Sequence, residues 1–99
     1  MSIKYSLKNL EKDYGSLTLA DLLVIYREDN ELTQTQMAHK LSTSKQKLCD
    51  FEKGRRLPSV KMVAKWAKKL KHPQKVWVQI VLQDQLRRDN VKLKVSIAS

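Results

Sequence analysis

Lys45, Gln46, Cys49 and Asp50 lie at a spacing of i, i+1, i+4 and i+5 within SKQKLCDFEKGRRLP, residues 44–58. On a helix they share one face, opposite Leu48 and Phe51, whose apolar side chains call for burial. A face of this composition is suited to hydrogen bonding with base edges. Gln46 can pair bidentately with adenine, Lys45 can donate to guanine O6 and N7, and Asp50 can accept from cytosine N4, each contact discriminating by about 1–3 kcal/mol. Two of the four have plainer alternatives. Cys49 can pack, or touch a methyl group, rather than react, and Asp50 can orient Lys45 or Lys47 rather than touch a base.

A base-reading face has to be carried on a helix that a second helix holds in place. Thr33 and Gln36 form a capping box ahead of Met37, Ala38 and Leu41, and Ser44 can cap the helix that bears Leu48 and Phe51. Two helices of about eight residues therefore meet across Ser42 and Thr43. Such a helix, tight turn and helix lays its second helix in the major groove while the first crosses the backbone. Ser44, Lys47, Lys53, Arg55 and Arg56 are placed to meet phosphates, contacts that position a protein without specifying sequence.

The flanks supply the scaffold. In TLADLLVIYREDN, residues 18–30, Thr18 and Asp21 make an acidic capping box, and Leu19, Leu22, Leu23 and Tyr26 share a face. Gly54 stops the reading helix. Pro58 and Ser59 start the next, whose buried stripe is Val60, Val63, Ala64, Ala67 and Leu70, and Pro73 opens a fifth helix to about Arg88. The apolar side chains of VWVQIVL, residues 76–82, spread too far around that helix for one contact face, so Trp77, Ile80 and Val81 are expected to meet a second subunit. Met62 and Trp66, off the main stripe of the fourth helix, either extend that interface or widen the core.

VKLKVSI, residues 91–97, alternates Val91, Leu93, Val95 and Ile97 with polar residues, the period of a half-buried strand. Ile3, Tyr5 and Leu7 alternate likewise at the N-terminus, as an extended arm or a frayed tail. The expected class is all-α, five helices with a short C-terminal strand: an arm over 1–17, a DNA-binding unit over 18–72, and a dimerisation helix and strand over 73–99.

Composition agrees with a single domain of 99 residues. The net charge of +10 is confined to residues 40–75, where twelve Lys and Arg face only Asp50 and Glu52; elsewhere the two signs balance at eight each. An excess so localised is the footprint of a polyanion binder, with nucleic acid ahead of an acidic protein or a membrane surface. No apolar run approaches the roughly 18 residues of a membrane span, and MSIKYSLKNLEKDYG is too charged for the centre of a signal peptide, so a soluble cytoplasmic protein is expected. The lone Cys49 and the distant His39 and His72 suggest neither disulfide, metal nor cofactor. With no glycine-rich phosphate loop, no histidine near the cysteine and no convergent carboxylate pair, no enzymatic activity is expected.

LTQTQMAHKLSTSKQKLCDFEKGRRLPS, residues 32–59, resembles the helix-turn-helix domain of the Cro/CI (Xre) repressor superfamily. Leu32, Thr33, Gln34, Met37, Ala38, Leu41, Leu48, Phe51, Glu52, Gly54, Pro58, Ala67 and Leu70 fall at its characteristic positions, and the likeness runs roughly from 19 to 72. It departs at Ser42, where that family usually places a left-handed glycine. The resemblance implies a lambda-repressor-like fold, a phosphate-bonding and bracing role for Gln34, and a buried ion pair between Arg27 and Glu52. SLTLADLLVIYRE, LCDFEKGRRLPS and KVWVQIVLQDQLRRDNVKLKVSI are together similar to the HigA-like antitoxins of type II toxin-antitoxin modules. That likeness implies a homodimer that represses its own operon and caps a HigB/RelE-like messenger RNA interferase; a stand-alone phage-type or metabolic repressor is the alternative. Two copies joined through Trp77, Ile80, Val81, Val91, Leu93 and Val95 would present reading helices about 34 Å apart to an inverted-repeat operator. Because such toxins are basic, Glu28, Asp29 and Glu31, or strand pairing at either terminus, would have to supply the attraction.

Overall fold

Hydroxyl side chains begin four of the five helices of the computed structural model, which describes residues 17–91 and residue 93. The chain is all-α among the described residues: α1 (Leu19–Asp29), α2 (Gln34–Leu41), α3 (Lys45–Glu52), α4 (Val60–Lys69) and α5 (Gln74–Arg88). Both expected capping boxes form. Thr18 Oγ1 accepts the Asp21 amide at 3.0 Å while the Asp21 carboxylate accepts that of Thr18 at 3.3 Å. Thr33 and Gln36 do the same at 3.1 and 2.8 Å. Ser44 and Ser59 each accept one amide at 3.1 Å, from Lys47 and Met62. Pro73 serves as the N-cap of α5 rather than its first residue, with no side-chain cap bond.

Each helix stops in the same way. Glu31, Ser42, Gly54, Lys71 and Asn90 adopt φ between 54° and 74°, and the following amide bonds back into the last turn: Leu32 to the Arg27 carbonyl, Thr43 to Ala38, Arg55 to Asp50, His72 to Ala67, Val91 to Leu86, all at 2.8–2.9 Å. This is the Schellman arrangement, which satisfies carbonyls the helix end would otherwise orphan. Only Gly54 enters the left-handed region without a Cβ penalty. Lys71→Gly removes that penalty at an exposed position while adding freedom to the unfolded chain, and is expected to raise stability by about 0.5–1 kcal/mol in chemical denaturation.

The core forms where α1, α3, α4 and α5 converge, and α2 closes it through Met37, Ala38 and Leu41. Here α5 departs from expectation. Trp77 and Val81 are 0% exposed and Ile80 is 1% exposed within the single chain. The wide apolar arc of α5 packs against α4 on one side and α1 on another, so these residues belong to the core of one chain rather than to a subunit interface. Trp66 is likewise buried, edge-on to Phe51 at 5.3 Å, whereas Met62 is 37% exposed. Of the expected C-terminal strand only Val91 and Leu93 are described, both exposed at 38% and 66%. Val95, Ile97 and the N-terminal segment with Ile3, Tyr5 and Leu7 lie outside the described residues.

A buried carboxylate fastens α5 to α1. Buried Asp84 accepts the Leu19 amide at 2.6 Å and pairs with Arg87, so that a carboxylate of α5 sits on the positive end of α1. Burial pushes its carboxyl above the ordinary aspartate value, opposed by the Leu19 amide and by Arg87. At the α4–α5 junction His72 packs edge-on against Tyr26 at 4.8 Å and Trp77 at 6.0 Å, with its Nδ1 buried and without a hydrogen-bond partner among the described residues.

Burial lowers the His72 pKa below 6.5, and the nearby Asp29 carboxylate opposes this. A neutral imidazole is therefore favoured in the folded state more than in the unfolded one. Its contribution to stability is complete above pH 6.5 and is lost as the pH falls through the depressed folded value. Thermal melts between pH 8 and 5 should show the wild-type midpoint falling below pH 6.5 more steeply than that of His72→Phe.

Candidate nucleic-acid interface

Helix α3 is fixed on its inner side by Leu48 (0% exposed) and Phe51 (3%), which turns Lys45 and Gln46 outward and leaves Cys49 and Asp50 half-buried on the same outer face. The four side chains therefore form the continuous surface that their spacing indicated. Ser42 takes the left-handed conformation (φ 57°, ψ 45°) that a glycine would adopt without strain, so the turn keeps its geometry despite the substitution. Its Oγ also accepts from Lys69 Nζ at 2.7 Å, which ties the turn to α4.

Asp50 is the centre of the outer face. Its Oδ1 accepts from Gln46 Nε2 at 3.3 Å, one helical turn back, and from Arg55 Nη1 at 2.9 Å. The carboxylate orients Gln46 and Arg55, not Lys45 or Lys47. The Gln46 link was legible as an i, i+4 pair. The Arg55 link was not, because it depends on left-handed Gly54 turning the chain back over the end of α3. Holding Gln46 with its amide already oriented lowers the conformational entropy lost when it pairs with a base. Cys49 carries a free thiol, and among the described residues no three His, Cys, Asp or Glu side chains gather into a metal site.

The brace behind α3 is an ion pair. Arg27 of α1 donates to Glu52 through Nε at 2.8 Å and Nη2 at 3.2 Å, and its Nη1 reaches the Leu32 carbonyl at 3.2 Å. The Glu52 side chain is 4% exposed and that of Arg27 19%. Gln34, expected to brace α3 and bond a phosphate, donates its Nε2 to Glu52 at 2.9 Å, so the bracing contact exists within the chain itself. Arg88, which sequence reasoning did not single out, donates to the Gly54 carbonyl at 3.1 Å and fastens the loop after α3 to α5.

The electrostatics of α3 set it apart. Its first turn carries Lys45 and Lys47 with no acidic residue, and its last turn has no basic one, whereas α1, α2, α4 and α5 all place cationic residues or His near their C-termini. Cations at the positive end of the helix dipole oppose folding by a few tenths of a kcal/mol or more each, up to about 1. Lys47, Lys53, Arg55 and Arg56 are exposed along α3 and the loop that follows it, and Ser44 caps the exposed start of the helix.

Residues 18–74, spanning α1 to α4 with the start of α5, match the helix-turn-helix domain family. The chain belongs to that family. As a helix-turn-helix protein it is a DNA-binding regulator, with α2 and α3 as the two helices of the motif. Comparisons with curated proteins and with solved structures gave no match. No described helix of the regulator is long and apolar enough to cross a membrane.

Proposed function

We propose that the regulator is a sequence-specific repressor that binds an inverted repeat as a homodimer in the cytoplasm, and that it is the HigA-like antitoxin of a type II toxin-antitoxin module, repressing its own operon and neutralising a HigB/RelE-like messenger RNA interferase. The observation that carries the DNA reading is the outer face of α3, with Lys45 and Gln46 exposed, Asp50 holding Gln46, and the exposed Lys47, Lys53, Arg55 and Arg56 on α3 and the loop after it. Lys45, Gln46, Cys49 and Asp50 read bases. Gln34, Ser44, Lys47, Lys53, Arg55 and Arg56 set the register on the phosphates.

The antitoxin role rests on the resemblance of the flanking segments and on one surface feature. Glu28, Asp29 and Glu31 are exposed together at the end of α1, giving an otherwise basic protein an acidic surface for a basic partner. Dimerisation rests on residues after Asn90, where Val91 and Leu93 are exposed apolar side chains with no polar function of their own.

Titration onto the DNA upstream of its own reading frame, with and without the adjacent gene product, tests both halves. A salt-sensitive complex that the neighbour alters supports an autorepressing antitoxin; a complex indifferent to the neighbour leaves a stand-alone repressor; the lack of any complex removes the DNA reading. Residue roles are separated by binding-site selection. Gln46→Ala should relax preference at one position of each half-site, a loss of about 1–3 kcal/mol in discrimination. Arg56→Ala should weaken all sequences alike and flatten the dependence of log affinity on log salt by about 0.9 per lost phosphate. Arg56 is the cleaner choice than Arg55, whose removal would also release Asp50.

A further inference from the structure

The turn of the motif and the exposed side of α4 enclose a groove of about 400 Å³ that lies next to the reading face. Ser42, Thr43 and Ser44 of the turn line it together with Lys47, Lys65 and Lys69. None of the described residues that line it is acidic, so among them three ammonium groups share one concavity with no counter-charge. Another concavity, about 480 Å³ between α1, the loop after α3 and the end of α5, differs in this respect: Lys53, Arg56, Arg87 and Arg88 line it together with Asp21, Glu52 and Asp84. Like charges gathered without a partner repel, and the positive end of the eight-residue α3 adds to the same potential. The Lys69 to Ser42 bond holds one of the three ammonium groups at the groove rather than letting it swing into solvent.

We infer that this groove is a DNA-phosphate site, in which Lys65 and Lys69 of α4 carry the backbone contacts of Ser44 and Lys47 beyond the helix-turn-helix motif. The inference rests on the DNA-binding reading and adds positioning residues to it. An anion is the ligand that the charge selects. The phosphates of the bound duplex are the source, because Ser44 and Lys47 line the groove and also border the reading face, so a backbone that meets them runs at the groove's edge. Contacts of this kind set affinity and orientation and leave sequence preference unchanged.

The test uses the full chain, a duplex recovered by selection from a random pool, and a scrambled duplex, each titrated at several salt concentrations. Lys65→Gln/Lys69→Gln should lower affinity for both duplexes by the same factor and flatten the salt slope by up to about 1.8 per subunit, two phosphates at 0.9 each. Lys65→Gln alone leaves the Lys69 to Ser42 bond in place, and should flatten the slope by about half as much even if the double variant melts early. An unchanged slope in both variants, with Arg56→Ala flattening it, overturns the inference and leaves DNA binding intact. A loss confined to the selected duplex also overturns it, since the lysines would then be reading bases. A wild-type chain with no salt-dependent binding to either duplex overturns the DNA-binding reading itself.

Discussion

Arg27→Met is expected to lower the free energy of unfolding by about 3–5 kcal/mol, more than any other single change outside the apolar core. The asymmetry of the ion pair sets the choice of residue. Glu52 is 4% exposed, so without Arg27 its carboxylate stays buried, with the Gln34 amide as its one remaining side-chain partner among the described residues. Glu52→Gln should cost less, because Arg27 is 19% exposed and its flexible stem can carry the guanidinium to water. The double variant Arg27→Met/Glu52→Leu should recover part of the loss of Arg27→Met, since apolar side chains of similar volume need no counter-charge. Urea denaturation of the four proteins gives the ordering directly, and a Glu52→Gln variant less stable than Arg27→Met would invert the argument. The consequence extends to function. Glu52 is the last residue of α3, and its bonds to Arg27 of α1 and Gln34 of α2 tie α3, whose outer face is proposed to read bases, to the rest of the domain. Affinity for DNA should therefore fall in Arg27→Met even at temperatures where the chain remains folded.

What the sequence made legible was local. Thr18 with Asp21, Thr33 with Gln36, and Ser44 lie within three residues of the amides they cap, so their pattern can be read without knowing the fold. The outer face of α3 was legible for the same reason, since helical spacing alone groups Lys45, Gln46, Cys49 and Asp50. Contacts made by packing were not. Nothing in the spacing of Lys65 and Lys69 places them beside the turn of the motif; the packing of α2 on α4 does. Glu31, Ser42 and Lys71 end helices in a conformation that favours glycine, and their identities gave little sign of it. Ser42 drew notice because the helix-turn-helix resemblance expects a glycine there.

The fifth helix shows where periodicity reaches its limit, and truncating it provides the second large effect. Trp77→Ala is expected to cost about 3–5 kcal/mol, the range for emptying a buried aromatic site, because its ring fills the space between α1 and the α4–α5 junction and meets Tyr26 at 6.3 Å and His72 at 6.0 Å. An apolar arc too wide for one neighbour can be covered either by two helices of the same chain or by a second chain, and the pattern of VWVQIVL is identical in both cases. Exposure separates them: at 0% in the single chain, Trp77 has no surface left to offer a partner. The two arrangements also differ in the laboratory. A core residue lost to alanine lowers the melting temperature by the same amount at every protein concentration, and helical signal is lost with it. Loss of an interface residue instead flattens the dependence of melting temperature on concentration, since less of the stability is then tied to association. Trp77→Ala should show the first behaviour. Deletion after Asn90, which removes Val91 and Leu93 and keeps every residue of α5 at the loss of the Val91 amide bond to the Leu86 carbonyl, should show the second, with sedimentation reporting a weakened dimer around a folded monomer. If Trp77→Ala instead gave a folded monomer at the wild-type melting temperature, α5 would be an interface after all, and the reading helices would have to be spaced by a contact through that helix.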